Sequence, residues 1–153
     1  MLRHDQQYAE RAARVSKLAV DVSEFLTRLD VPLVPAPKDL KIAYHSACSL
    51  QHGQKISSPP RDLLRSAGFT VVDPPEGHLC CGSAGTYNIL QPDIARQLRD
   101  RKVSNIERTA PDVIAAGNIG CITQIGSGTN IPVVHTIKLL NWAHGGAKPS
   151  ELS

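Results

Sequence analysis

The reactive side chains of this chain are concentrated in four cysteines. Thirty-one residues separate Cys48 from the adjacent pair Cys80-Cys81, which Gly82 follows directly, and thirty-nine separate that pair from Cys121. Each lies in a small, polar or glycine-containing segment: His45-Ser46-Ala47-Cys48, Leu79-Cys80-Cys81-Gly82-Ser83-Ala84-Gly85 and Asn118-Ile119-Gly120-Cys121. A cysteine kept for packing alone would sit in an apolar run. The pattern predicts four thiolates gathered to one place by folding.

Four cysteine sulfurs are a full ligand set for a [4Fe-4S] cluster or for tetrahedral Zn²⁺. Redox thiols are a further reading, with Cys80-Cys81 as the working pair. A disulfide framework fits less well. Cysteine is sparse, and residues 1–20 have basic groups but no continuous apolar stretch of a secretory signal. Neighbouring Cα atoms are also only about 3.8 Å apart, below the usual disulfide range of about 4.4–6.8 Å. Gly82 and Gly85 allow close backbone approach, and their N–H groups are placed to bond cluster sulfurs or simply to shape a turn. His45, His52, His78 and His135 are candidates for a missing ligand or a proton carrier, and equally for polar side chains at strand or loop ends. Gln124, three residues after Cys121, reads as polar lining.

Other chemistries find less support. Gly82-Ser83-Ala84-Gly85-Thr86 has no following lysine for a phosphate loop. Ser83 lacks a nucleophile elbow, and the carboxylates form no acid–base pair. Arg96, Arg99, Arg101 and Lys102 are interrupted by acidic residues and read as a solvated helix face, so no nucleic-acid partner is expected. The net charge is a modest +3, and no apolar run approaches the ~18–20 residues of a membrane span.

The elements that must position the cysteines follow from periodicity. Residues 5–29 predict one helix, with Val15, Leu18, Val22, Phe25, Leu26 and Leu29 on a shared face. Three prolines within 32–37 predict an extended linker. The helix is either an appendage that docks outside the core or one packed on its own domain. From residue 40, strands at 40–45, 69–72, 113–116 and 131–135 alternate with helices at 59–67, 92–109 and 136–144. That order predicts an α/β fold: a short parallel sheet of about four strands with flanking helices, plus the N-terminal helix. The expected organisation is helix and linker at 1–38, a cysteine-rich domain at 39–146 and a disordered tail at 147–153. Cys48 and Cys121 then follow strand ends, where open α/β sheets bind ligands, and Cys80-Cys81 closes over the same crevice.

The spacing of Cys48, Cys80-Cys81-Gly82 and Cys121 resembles the cysteine-rich CCG domain of heterodisulfide reductases and their relatives. The stretches at 78–87, 92–100 and 116–121, with the run around His45, Cys48, His52 and Lys55, are similar to the C-terminal part of bacterial glycolate oxidase iron–sulfur subunits, over roughly residues 5–145. The resemblance implies electron transfer. An iron–sulfur cluster, [4Fe-4S] by ligand count with Zn as the alternative, would be held by Cys48, Cys80, Cys81 and Cys121. Flavoprotein subunits would take two electrons from glycolate, and the iron–sulfur subunit would pass them toward a quinone or another acceptor. In that family the full-length chain starts with a ferredoxin-like module and a first cysteine-rich domain. Neither occurs here, so a C-terminal fragment without a complete active site is expected, cytoplasmic or peripheral at the inner membrane face. The fullest family pattern ends in Cys-x-x-Cys, and Gln124 stands at its last position. That leaves four thiolates rather than five. A zinc-held or metal-free docking domain is the alternative from another class.

Overall fold

The computed structural model describes residues 2–29 and 39–153. The proline-rich linker expected at 31–37 lies outside them. The chain divides into two compact units, residues 1–31 and 32–153.

In the first unit the single helix expected over 5–29 is two helices, α1 (Ala9–Leu18) and α2 (Val22–Leu29), after a 3₁₀ turn at Leu2–His4. Asp21 causes the break. Its carboxylate accepts from the Ser23 N–H at 2.9 Å, while Glu24 Oε2 accepts from the Asp21 N–H at 3.3 Å. These reciprocal bonds form a capping box that starts α2 afresh. Val15, Leu18, Phe25 and Leu29 are all exposed.

The second unit is an α/β fold. β1 (Lys41–His45) leads into a π-helical turn at Ser49–Gln54 and then α3 (Pro59–Ser66). Prolines occupy the first turn of α3, where a missing N–H costs nothing. Gly68, at φ +90°, ends the helix: its N–H bonds to Arg65 O and the Phe69 N–H to Leu64 O, a Schellman closure. β2 (Thr70–Val72), α4 (Tyr87–Leu90), α5 (Pro92–Glu107), β3 (Val113–Ala116), α6 (Ile119–Gly126), β4 (Val133–His135) and α7 (Thr136–Ala143) follow. Periodicity does not predict the π-helical turn, α4 or α6. Residues 147–153, expected as a disordered tail, carry a 3₁₀ turn at Ser150–Leu152 and a Lys138–Glu151 ion pair of 2.6 Å.

The sheet order is β2-β1-β3-β4, with every pairing parallel. All four residues of β3 are buried, as expected of a strand covered on both faces. Side-chain alternation puts Ala43, Ile114 and Val133 on the face packed against Val103, Ile106 and Ile125 of α5 and α6. The alternate residues Ile42, Val113 and Val134 are buried toward the other face, and Leu64 of α3 and Leu139 of α7 have no exposed surface either. Burying each large aliphatic side chain contributes roughly 1.5–3 kcal/mol, so this central strand pair is the rigid floor of the domain. The chain runs from β1 outward to β2, then crosses back to β3 on the other side of β1. The strand order therefore reverses between β1 and β3, which opens a crevice beyond their carboxyl ends. No helix among the described residues is long and apolar enough to cross a membrane.

Candidate metal centre

Register sets the floor of this crevice. His45 pairs with Ala116, and Ala116 with His135, so three strand ends form one row. Beyond β1 the backbone turns at once into the π-helical turn: the Leu50 and Gln51 N–H groups both bond to Ala47 O, at 3.0 and 2.9 Å. That tight turn directs half-buried Cys48 over the crevice. Beyond β3, Asn118 caps α6, its Oδ1 accepting from the Cys121 N–H at 3.2 Å. Cys121 therefore lies in the first turn of a helix, fixed by the residue that starts it.

Cys80 and Cys81 arrive on a loop held from α5. Glu76, at the head of that loop and with φ +52°, accepts from Arg101 Nε at 2.9 Å and from Asn105 Nδ2 at 2.7 Å. The Arg101 hydrogen bond, then that of Asn105, pull its carboxyl down to about 2. Lys102, only 1% exposed, donates from Nζ to Glu76 O at 3.0 Å and Gly77 O at 3.4 Å. After the cysteines, the Gly82 N–H donates to Cys80 Sγ at 3.3 Å. Gly82 has φ +88°, and a Cβ there would lie 2.3 Å from Ala95 O of α5. Only glycine lets the loop lie this close to the helix backbone. A Cβ at Gly120 would likewise meet Ser83 Oγ at 2.7 Å, so α6 is pressed against the same loop.

All four cysteines, with Gly85, Ser83 and Asn118, line one cavity of about 160 Å³. The thiols are free. His45 is 2% exposed, and one of its ring nitrogens forms a group with the Cys81 and Cys121 sulfurs within 4.8 Å of one another. Among the described residues its ring nitrogens have no hydrogen-bond partner other than the Cys81 thiol. Cys81 is held below the usual thiol range, chiefly by the hydrogen bond from Cys121 and further by His45 and the Ser83 N–H, against the effect of burial. Cys121 is pushed up by giving that hydrogen bond, by burial and by the negative charge of the other three sulfurs. Burial first, then Cys80 and Cys81, raise Cys48. The sulfurs thus resist being ionised together. A bound cation removes that resistance, because it deprotonates coordinating thiols outright. The four sulfur donors, the buried imidazole beside two of them and the cavity they line fit a thiolate-bound metal centre.

Spacing and strand order together predict Cys48, Cys80, Cys81 and Cys121 at one crevice, and all four line its cavity, with Gly82 and Gly85 shaping the intervening turn. Among the histidines, His45 joins the group. His52 and His78 are exposed outside it, and His135 caps α7 by accepting the Ile137 N–H at 3.2 Å. Gln124 does not line the cavity; it donates to Ala95 O at 3.4 Å and accepts from Asn88 Nδ2 at 3.3 Å. The solvated-face reading of the basic cluster fails at Lys102. The helical period of α5 was the available signal: Lys102 directly precedes the buried Val103 and lies four residues before the buried Ile106. Asn118 was legible as a helix cap only to a reading that expected α6.

Residues 42–126 match the family described as CCG, a cysteine-rich domain. Over 143 residues the chain is 43% identical to the glycolate oxidase iron-sulfur subunit of Escherichia coli (strain K12), an alignment covering 94% of this chain and 35% of that relative. It is 30% identical over 148 residues to lactate utilization protein A of Bacillus licheniformis, covering 92% of this chain and 62% of the relative. Lactate utilization protein A of Bacillus subtilis (strain 168) is 26% identical over 148 residues, with the same two coverages of 92% and 62%. The chain spans about a third of the first relative's length and under two thirds of the others'.

Proposed function

We infer the function from one premise: the chain belongs to the CCG family of cysteine-rich domains. It acts as an iron–sulfur, electron-transfer domain within a multi-subunit oxidoreductase of glycolate oxidase type. Cys48, Cys80, Cys81 and Cys121 hold the cluster, and Gly82 and Gly85 let the loop wrap it. One observation carries this reading: four free thiols from three separate segments line a single cavity at the strand switch point. The 43% identity to the iron-sulfur subunit of glycolate oxidase in Escherichia coli supports the oxidoreductase setting.

The bound cluster supplies one-electron chemistry at a potential set by its surroundings. The chain's residues fix its position, exclude water beneath it with Ala47, Leu50 and Ile125, and keep it at the domain surface through half-buried Cys48 and Cys80. Removing a hydride from an α-hydroxy acid needs a two-electron cofactor such as flavin. A flavoprotein subunit is therefore the electron donor, a ferredoxin-like module the relay partner, and a quinone or other carrier the acceptor. Among lactate and glycolate, the higher identity to the glycolate oxidase relative favours glycolate.

Anaerobic reconstitution with iron and sulfide tests the reading. The expected product is a brown protein with a broad visible charge-transfer band and stoichiometric acid-labile sulfide, which Cys121→Ser abolishes. Colourless protein carrying one zinc per chain would replace it with the zinc-held docking domain. Glycolate with an artificial acceptor should reduce no dye in the presence of this chain alone, and dye reduction without added flavoprotein would overturn the relay role.

A further inference from the structure

Among the described residues, Lys102 is the only large charged side chain with under 2% of its surface exposed. Burying an ammonium ion costs several kcal/mol unless opposite charge and hydrogen bonds compensate it. Among the described residues Lys102 forms no ion pair with a carboxylate. The nearby carboxylate, Glu76, is taken by Arg101 and Asn105, and the ammonium is left with two carbonyl oxygens of the same loop. Those carbonyls belong to Glu76 and Gly77, just upstream of Cys80. Its helix neighbours Val103 and Ile106 pack in the same buried cluster as Cys81 and Cys121. Two partial dipoles are weak compensation for a full buried charge.

We propose that Lys102 is the built-in counter-cation of the cysteine site, held by the Glu76 and Gly77 carbonyls so that its charge offsets that of a bound metal–thiolate group. The proposal rests on the reading that the four cysteines hold such a group. Burial lowers the Lys102 ammonium's pKa, and the negative charges of Cys48, Cys81, Glu76 and Cys80 oppose that shift. Four thiolates around one Zn²⁺ or one iron–sulfur cluster leave a net negative group. A fixed buried cation beside it favours whichever state carries more negative charge, which for a cluster is the reduced one. Salt screens such a buried pair far less than an exposed one. Lys102 thus acts as a positioning and tuning residue. It sets the potential at which the site takes an electron, and it also anchors the loop that brings Cys80 and Cys81.

The two roles are separable in the full chain. Lys102→Met removes the charge and the anchor, and Lys102→Gln removes the charge while keeping a donor. Arg101→Ala loosens the same loop from its 64% exposed outer side and leaves the buried charge in place. Each protein is reconstituted anaerobically, its fold checked by circular dichroism and its midpoint potential measured by redox titration with EPR. The expected result is a shift to more negative potential in Lys102→Met, and little shift in Arg101→Ala. Should Lys102→Met fail to fold, Lys102→Gln carries the test with the same expected shift. A lysine variant that titrates like the wild type, or an Arg101→Ala shift as large as the lysine variant's, overturns the counter-cation role and leaves the cluster reading intact. Wild-type protein that takes up neither iron nor zinc overturns both.

Discussion

Gly82 is where one methyl group does most harm. Its φ of +88° disfavours any L side chain, and a Cβ would face the Ala95 main-chain oxygen at 2.3 Å, which no rotamer change relieves. Gly82→Ala combines backbone strain with overpacking, a cost of roughly 2–4 kcal/mol. Gly85, at φ +66° with open space around it, carries only the strain, about 1 kcal/mol on replacement. Thermal unfolding of the two alanine variants should therefore give clearly different midpoints, and equal midpoints would count against the loop geometry. Glu76 supplies a pH signature. Its folded carboxyl is depressed from 4.5 to about 2. Its contribution is thus complete above 4.5 and lost as pH falls from there through about 2. Glu76→Gln should lower the melting temperature at neutral pH, with the difference from wild type shrinking across that acid window. At this scale the cysteines were legible because their types and spacing are themselves the signal. Lys102 was not, because residue type says "surface" and only the packing of α5 says otherwise.

At the scale of elements, strands were legible wherever short apolar runs stood between turn residues, as at Val113–Ala116. α6 was hidden by its composition. Ile119-Gly-Cys-Ile-Thr-Gln-Ile-Gly is rich in glycine and β-branched residues, which disfavour helix. Tertiary contact with the loop at Ser83 and the Asn118 cap override that preference. Removing the cap should then matter more than usual. Asn118→Ala is expected to cost about 1 kcal/mol of stability and to reduce metal retention, because the same bond orients Cys121. A chelator-competition assay on the variant checks the second effect. The α1–α2 break was hidden for the opposite reason: apolar periodicity runs on past Asp21, and the capping box is a local competitor that periodicity does not see. Asp21→Ala should speed hydrogen exchange at the first amides of α2 while the amides of α5 remain unchanged.

At the scale of the molecule, the parallel order and its cysteine-lined crevice followed from the alternation of strands and helices, and only the position of β1 between β2 and β3 needed the structure. That order explains why the cysteines are so far apart in sequence. Residues 48, 80–81 and 121 belong to three segments that meet only once the sheet has formed. The proposed metal centre among them would close one chain loop of thirty-one residues and another of thirty-nine. Because such a site forms only in the folded chain, metal binding there adds directly to folding stability. Stripping the metal should therefore lower the melting temperature. A rivet also outlasts the thread it joins. If a protease cuts the exposed stretch at Gly53, the two pieces share the centre and should travel as one particle on a native column. With the centre removed, only the pairing of β1 with β2 and β3 holds them, and they should part at a lower denaturant concentration than with the metal bound.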